Sequence, residues 1–122
     1  MEDFVSFELA KKLKEKGFNW TCSHYYRTKS KDLFMIFHRE DWSNIEERIN
    51  APTRSQVLKW LRDKFFLHIS QKPYPCEDGL MWMYEIRKFD KHIVFVIANK
   101  TGFVEEEEAS LAGIEYVIKN LI

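Results

Sequence analysis

Residues 81–98 read MWMYEIRKFDKHIVFVIA, and this stretch decides the predicted fold class. In its first half, the apolar side chains at 82, 84 and 86 alternate with those at 81, 83, 85 and 87, which is the period of a strand. The second half, Ile93–Ala98, is β-branched, aromatic and apolar throughout, as is typical of a central strand. Because the turn Phe89-Asp90-Lys91 joins the two halves, we predict an antiparallel hairpin.

Upstream of this hairpin, the run Leu67–Gln71 also alternates, with Leu67 and Ile69 on one face. Pro73 and Pro75 follow it and are expected to end the strand, since proline cannot donate to a β-ladder. The sequence therefore predicts three consecutive strands in the second half of the chain.

The first half of the chain holds two more strand candidates, Thr21–Arg27 and Leu33–His38, separated by a polar turn of hairpin length. The second run does not alternate, so we predict a strand buried on both faces. Residues 39–51 are polar and unassigned, although Ile45 and Ile49 have the spacing of a helical turn.

Three helices complete the prediction. The first spans about Phe7 to Lys16, with Ser6 as its N-cap and Gly17 at its C-terminal end. The second begins at Ala51-Pro52-Thr53, where Thr53 and Gln56 form a capping-box pair, and the third spans about 105–120 with glutamates in its first turn. The order is α-β-β-α-β-β-β-α, which predicts an α+β fold with a mainly antiparallel sheet of about five strands and three helices. We predict that its core contains Leu9, Leu13, Ile36, Val57, Trp60, Leu61, Ile69, Phe95, Ile97, Ile114, Val117 and Leu121.

Composition bounds the class of protein. The chain has 122 residues, 16% of them aromatic, and no net charge. This length fits one domain, which we predict over 1–122, and no global field gathers nucleic acid. The acidic first residues lack the pattern of a signal peptide, and Ile93–Ala98 is the longest apolar run, too short to span a membrane. With only two cysteines, we expect a cytoplasmic protein with reduced thiols and no membrane contact.

No motif for catalysis, a cofactor or a metal is present in the sequence. Cys22 and His24 would share one face of a strand, but they make half a metal site, and C-x-x-C and H-E-x-x-H spacings are missing. There is no G-x-S-x-G and no glycine-rich phosphate loop among four glycines. We therefore expect no catalytic residue, no cofactor and no metal, while a small enzyme with an unrecognised Cys/His or carboxylate site stays an alternative.

The best candidate binding surface is the cluster of Tyr25, Tyr26, Arg27, Lys29 and Lys31. Rings on a strand can stack bases, and the neighbouring cations can contact phosphates, so binding of single-stranded nucleic acid is an alternative function. The other interpretation is a hairpin end, with tyrosines half in the core and lysines that keep the tip soluble. The neutral net charge favours the second interpretation.

The leading functional prediction is a small non-enzymatic binding or accessory protein with an unknown protein partner. A small domain with many aromatic residues cannot easily bury every ring, and exposed apolar patches mark interfaces. We therefore predict a homodimer, with the hairpin Met81–Ala98 and its Met81 and Met83 face as the donor of the interface. In the competing account, helices cover both faces of this hairpin within one chain.

Several segments together carry a family resemblance. They are residues 7–18 (FELAKKLKEKGF), the pair Tyr25-Tyr26, Ala51-Pro52-Thr53, residues 56–62 (QVLKWLR), Leu67-His68-Ile69, and Ala109 in the last helix. Over roughly residues 6 to 122, the chain resembles a group of small uncharacterised proteins of Bacteroides-type gut bacteria and their phages and prophages. It departs from their pattern in having glutamates at 105–108, where a serine-type cap is usual. The resemblance implies a bacterial, mobile-element origin and a compact α+β domain, and it implies no chemistry.

Overall fold

The computed structural model describes residues 4–35, 48–77 and 79–122. Over these residues the chain forms three helices and six strands, so the predicted α+β class is confirmed. The expected single sheet of about five strands is wrong, because the strands form two separate antiparallel sheets of three. The elements in chain order are α1 (Phe7–Glu15), β1 (His24–Arg27), β2 (Leu33–Met35), β3 (Arg48–Ala51), α2 (Arg54–Phe65), β4 (Leu67–Cys76), β5 (Gly79–Asp90), β6 (Ile93–Phe103) and α3 (Glu106–Asn120).

The internal contacts of the chain divide it into two compact units, Met1–Gln56 and Val57–Ile122. The first contains α1 and the sheet β2-β1-β3, and the second contains α3 and the sheet β4-β5-β6. Each unit thus has its own sheet and its own helix. The prediction of one domain over 1–122 stays a prediction.

Local signals at both ends of α1 place this helix as predicted. The Ser6 side chain accepts a hydrogen bond from the backbone N–H of Leu9 at 3.2 Å, which satisfies one donor of the first turn. At the other end, Gly17 takes a positive φ of 93°, and the Phe18 N–H donates to the Leu13 carbonyl at 2.9 Å. Leu13 is fully buried, so the apolar stripe of α1 faces the core of the first unit.

The sheet of the first unit contains a strand that the sequence did not predict. β3 pairs antiparallel with β1, so that Ile49 lies opposite Tyr26. Its buried and exposed residues alternate, as they do in a strand with one face on the core. A helical turn at Ile49 is therefore wrong, while Ile45 lies outside the described residues.

β2 is an edge strand and not the strand buried on both faces that its apolar run predicts. Its described residues Leu33 and Met35 are both exposed, and β2 pairs with β1 on one side. The rest of the predicted strand, including Ile36 of the predicted core, lies outside the described residues.

The capping box predicted for α2 is present in full. The Gln56 N–H donates to Thr53 Oγ1 at 3.2 Å, and the Thr53 N–H donates to Gln56 Oε1 at 2.9 Å. Two backbone donors at the start of the helix are thereby satisfied by local partners. Further along α2, Trp60 and Leu61 are buried, which confirms the predicted phase of the helix.

The second unit is a meander of three long antiparallel strands. β5 lies in the middle, with Ile86 opposite Ile69 of β4 and opposite Ala98 of β6. The expectation that Pro73 and Pro75 end β4 is wrong, since both lie inside it, opposite residues of β5. Proline is tolerated there because β4 is an edge strand and needs hydrogen-bond donors on one side only.

α3 packs on this sheet through a close approach at Gly113. A side-chain carbon at this position would lie 2.8 Å from Ile69 Cγ2 and 3.3 Å from Tyr84 Cγ. The helix therefore rests directly on β4 and β5, and Ile114 and Val117 are fully buried beside the contact. This arrangement confirms Ile69, Ile114 and Val117 as core residues.

Three other members of the predicted core lie outside it. Phe95 is 43% exposed and Leu121 is 37% exposed, while Ile97 is half-buried. Leu121 follows the last turn of α3. Phe95 and Ile97 lie on β6, which the composition predicts as a central strand but which forms the edge of its sheet.

Candidate functional site

The predicted tyrosine surface has no exposed rings. Tyr25 is 3% exposed and stacks on Phe34 with ring centroids 5.8 Å apart. Tyr26 is also buried, and its hydroxyl donates a 2.6 Å hydrogen bond to the Val5 carbonyl. Burial raises the pKa of this hydroxyl. Both rings thus pack inside the first unit, where neither presents a face on which a base could stack.

The cations of the same cluster contact neighbouring rings. The guanidinium of Arg27 lies over the Phe34 ring at 4.4 Å, and the ammonium of Lys31 lies 5.5 Å from the centre of the Phe7 ring. Lys31 Nζ is also 4.0 Å from a carboxylate oxygen of Glu8. Lys29 is exposed at the turn. These contacts support the interpretation of residues 25–31 as a hairpin end.

A cleft of about 580 Å³ lies between α1 and this hairpin, within the first unit. Both signs of charge line it, with three lysines and two glutamates beside the apolar residues Phe7 and Ile49. The lining residues are Phe7, Glu8, Lys11, Lys14, Glu15, Thr28, Lys31 and Ile49. Mixed charge of this kind selects neither an anion nor a cation, so the cleft indicates no ligand class.

The two thiols differ in environment and show no activated nucleophile. Cys22 is buried, and its burial raises the pKa of its thiol to about 11, which keeps it protonated at neutral pH. Cys76 is exposed and its Sγ lies 3.1 Å from the Gly79 carbonyl oxygen. Among residues 4–35, 48–77 and 79–122, no three His, Cys, Asp or Glu side chains converge as metal ligands.

A charged group of three residues crosses β4 and β5 in the second unit. Glu85 accepts a hydrogen bond from Arg87 Nε and another, of 3.2 Å, from Lys72 Nζ. The Glu85 side chain is largely buried, while both cations are partly exposed. The hydrogen bond from Arg87 is the main cause that lowers the pKa of Glu85, and Lys72 adds to it, while burial opposes both.

This triad predicts a pH-dependent contribution to stability. Because the pKa of Glu85 is lower in the folded state, its contribution is present above the unfolded pKa of about 4.3 and is lost as pH falls through the folded pKa. We expect Glu85→Gln to lower the urea midpoint at pH 7 and to have a much smaller effect at pH 3. The exposed Glu115→Gln serves as the control at both pH values. An equal loss at pH 7 and pH 3 would contradict the assignment.

The most distinctive surface of the second unit is the start of β6. Ile93, Val94, Phe95 and Val96 are consecutive, apolar and 64%, 54%, 43% and 47% exposed. We call these four residues the β6 edge. Within the described parts of the chain, β6 pairs with β5 alone, so the backbone on its other side has no strand partner.

The two edges of this sheet differ in their capacity to pair with a further strand. β4 carries Pro73 and Pro75, which lack a backbone N–H, and Lys72 beside them. Prolines and lysines are the residues with which natural edge strands discourage pairing with another chain. Residues 93–99 of β6 contain neither a proline nor a charge, so every residue of this segment keeps its backbone N–H, whereas Pro73 and Pro75 interrupt the donors of β4.

Comparisons with known proteins add no relative. No family model, no curated protein and no solved structure matches this chain. The mobile-element origin implied by the resemblance therefore stays a prediction. None of the helices in the described residues has the length and apolar character needed to cross a membrane.

The homodimer interface predicted on the hairpin Met81–Ala98 stays a prediction, and the exposure of the residues in this hairpin differs from the expected one. Met81 and Met83, the predicted donors, are half-buried on β5. Between Met81 and Ala98, the large apolar residues that are exposed are those of the β6 edge. The edge position of β6 could have been inferred from the sequence. The short connections β4–β5 and β5–β6 place β5 in the middle of the sheet and β6 at its edge.

Proposed function

We propose that this chain is a non-enzymatic binding protein whose binding surface is the β6 edge. The observation that carries the proposal is the run of four exposed apolar residues, Ile93–Val96, on a strand with an unpartnered side in the described chain. Soluble proteins rarely leave a long apolar edge strand open, because it is a template for pairing with another chain. An open edge of this kind suits a protein that binds by accepting a strand.

The chemistry of such an edge determines the class of partner. An extended segment adds to the sheet through main-chain hydrogen bonds, which give affinity, and its alternate side chains meet the faces of the sheet, which gives specificity. Since residues 93–99 carry no charge, the matching segment is apolar and β-branched or aromatic. The partner is therefore a protein segment, and neither a nucleic acid nor a small metabolite fits this edge.

A library of labelled, extended eight-residue peptides tests the proposal by fluorescence anisotropy. We expect the binders to be apolar and free of proline, and Val96→Lys to weaken their binding at least about tenfold, because a charge would be buried beside the added strand. The matched control is Val104→Lys, which changes a more exposed valine just beyond the end of β6. Binding that survives Val96→Lys would place the partner on a different surface.

A further inference from the structure

We infer that the strand accepted by the β6 edge is β6 of a second copy of this chain, paired antiparallel about Phe95. This inference rests on the proposed function, because it names the partner of the same edge. Residues 93–97 read Ile-Val-Phe-Val-Ile, the same in both directions. A two-fold axis at Phe95 therefore places isoleucine opposite isoleucine, valine opposite valine and phenylalanine opposite phenylalanine, as an isologous interface requires.

The hydrogen-bonding direction of the backbone agrees with this register. β5 and β6 are joined by the two-residue loop Lys91-His92, and the flanking residues Asp90 and Ile93 are partners. Residues that flank such a loop form a hydrogen-bonded pair, and the pattern alternates along an antiparallel strand. The N–H and C=O groups of Ile93 and Phe95 thus point to β5, while those of Val94 and Val96 point outward.

An axis at Phe95 uses these outward groups completely. It places Val94 of each copy opposite Val96 of the other. The axis therefore creates two such pairs, and each pair exchanges two main-chain hydrogen bonds, which makes four in total. Phe95 then faces its symmetry mate as a non-hydrogen-bonded pair, in which side chains approach most closely. Aromatic pairs in this position add to the stability of a sheet.

The size and charge of the paired segment indicate a weak dimer. A bulge at Ile97, between the partners of Ile86 and Arg87, bounds the regular ladder. The four side chains are each about half exposed and together offer on the order of 400 Å² of accessible surface per copy. The two copies would therefore bury on the order of 800 Å², about half of the roughly 1,600 Å² that a standard interface buries in total. No charges meet within the ladder, because residues 93–97 are all uncharged. We therefore expect association at tens of micromolar with little dependence on salt.

Sedimentation velocity from about 5 to 200 µM measures the association directly. We expect wild type to shift from monomer to dimer, and Val96→Pro to stay monomeric with an unchanged melting temperature, since proline removes an N–H that points outward. If the proline variant does not fold, Val96→Lys replaces it and should also stay monomeric. The control Val104→Lys should dimerise like wild type. A wild-type monomer at 200 µM, or dimers of Val96→Pro equal to those of wild type, would overturn the inference.

Cross-linking tests the register in a Cys76→Ser background, which removes the exposed native thiol. Phe95→Cys places two thiols in a non-hydrogen-bonded pair with Cα atoms about 4.5 Å apart, within reach of a disulfide. Ile93→Cys is the control, because its two copies lie more than about 13 Å apart in this register. We expect oxidation to yield at least about tenfold more covalent dimer from Phe95→Cys. Equal yields from both variants would overturn the pairing about Phe95.

The peptide experiment separates this inference from the proposed function. If wild type stays monomeric but binds library peptides through a Val96-dependent site, the second copy is not the partner and the edge still accepts a strand. If wild type stays monomeric and no peptide binds, both proposals are wrong.

Discussion

Replacement of Trp60 by alanine is expected to lower the free energy of unfolding by about 3–5 kcal/mol, the range for removal of a large buried ring. The Trp60 side chain is 1% exposed, and its ring meets the edge of the Phe65 ring at a centroid distance of 5.1 Å. Lys64 Nζ lies 5.6 Å from the centre of the Trp60 ring. Truncation removes the transfer free energy of the indole and leaves a cavity that the neighbouring residues fill only in part.

Urea denaturation measures this loss through the shift of the midpoint. Lys59→Ala is the control, because it changes the adjacent, exposed residue of the same helix and should stay within about 0.5 kcal/mol of wild type. A midpoint unchanged by Trp60→Ala would show that the indole contributes nothing to the core.

Replacement of Gly113 by valine is the second change with a large expected effect, a loss of about 2–3 kcal/mol from overpacking. The new side-chain carbon would lie 2.8 Å from Ile69 Cγ2 and 3.3 Å from Tyr84 Cγ, both on the sheet beneath α3. Either the helix lifts from the sheet or the two side chains shift. A better helix former at this position offsets less than about 1 kcal/mol of the loss.

Two comparisons isolate the close approach from helix propensity. Ala112→Val adds β-branching at the preceding residue of α3, which is half-buried, and should cost less. In an Ile69→Ala background, Gly113→Val should cost less than in wild type, since the atom that it meets first is gone. If the two costs simply add, the contact with Ile69 does not limit how closely α3 packs.

The parts of the fold that could be predicted from sequence depend on contacts between near neighbours. Ser6 caps α1 through the residue three positions on, and Thr53 and Gln56 cap α2 across the same spacing. The energetics of such a contact are complete within one turn of helix. The helices were therefore predicted to within one or two residues of their observed ends.

Strand burial could not be predicted in the same way. Leu33–Met35 and Ile93–Val96 are as apolar as central strands, yet both lie at the edges of their sheets and are largely exposed. The apolar composition of a strand indicates how much free energy its burial would contribute. Whether the strand is buried depends on which other segments pack against it, and composition does not contain that information. Pro73 and Pro75 are an error in the opposite direction. Proline predicts the end of a strand, yet both residues lie within β4 and pair with residues of β5.

For the candidate sites, too, the sequence indicated the residue types, while the fold decided which of them are exposed. The tyrosine cluster Tyr25–Lys31 was visible in the sequence, but the rings of Tyr25 and Tyr26 turned out to fill the core of the first unit. The β6 edge was visible only as an apolar run. Its role as a surface depends on the position of β6 beside β5, which the run does not contain.

The amino-acid sequence by itself determined the helices, their caps, the buried phases of α1 and α2, and the hairpin from Met81 to Ala98. These features follow from interactions within about four residues or from strands joined by a short turn. Only the tertiary structure decided that the strands form two sheets, that Gly113 allows α3 to touch Ile69, and that Ile93–Val96 form an edge. Each of these depends on which distant segments become neighbours, and that choice is made by the sum of many weak contacts across the chain, so no single local pattern encodes it.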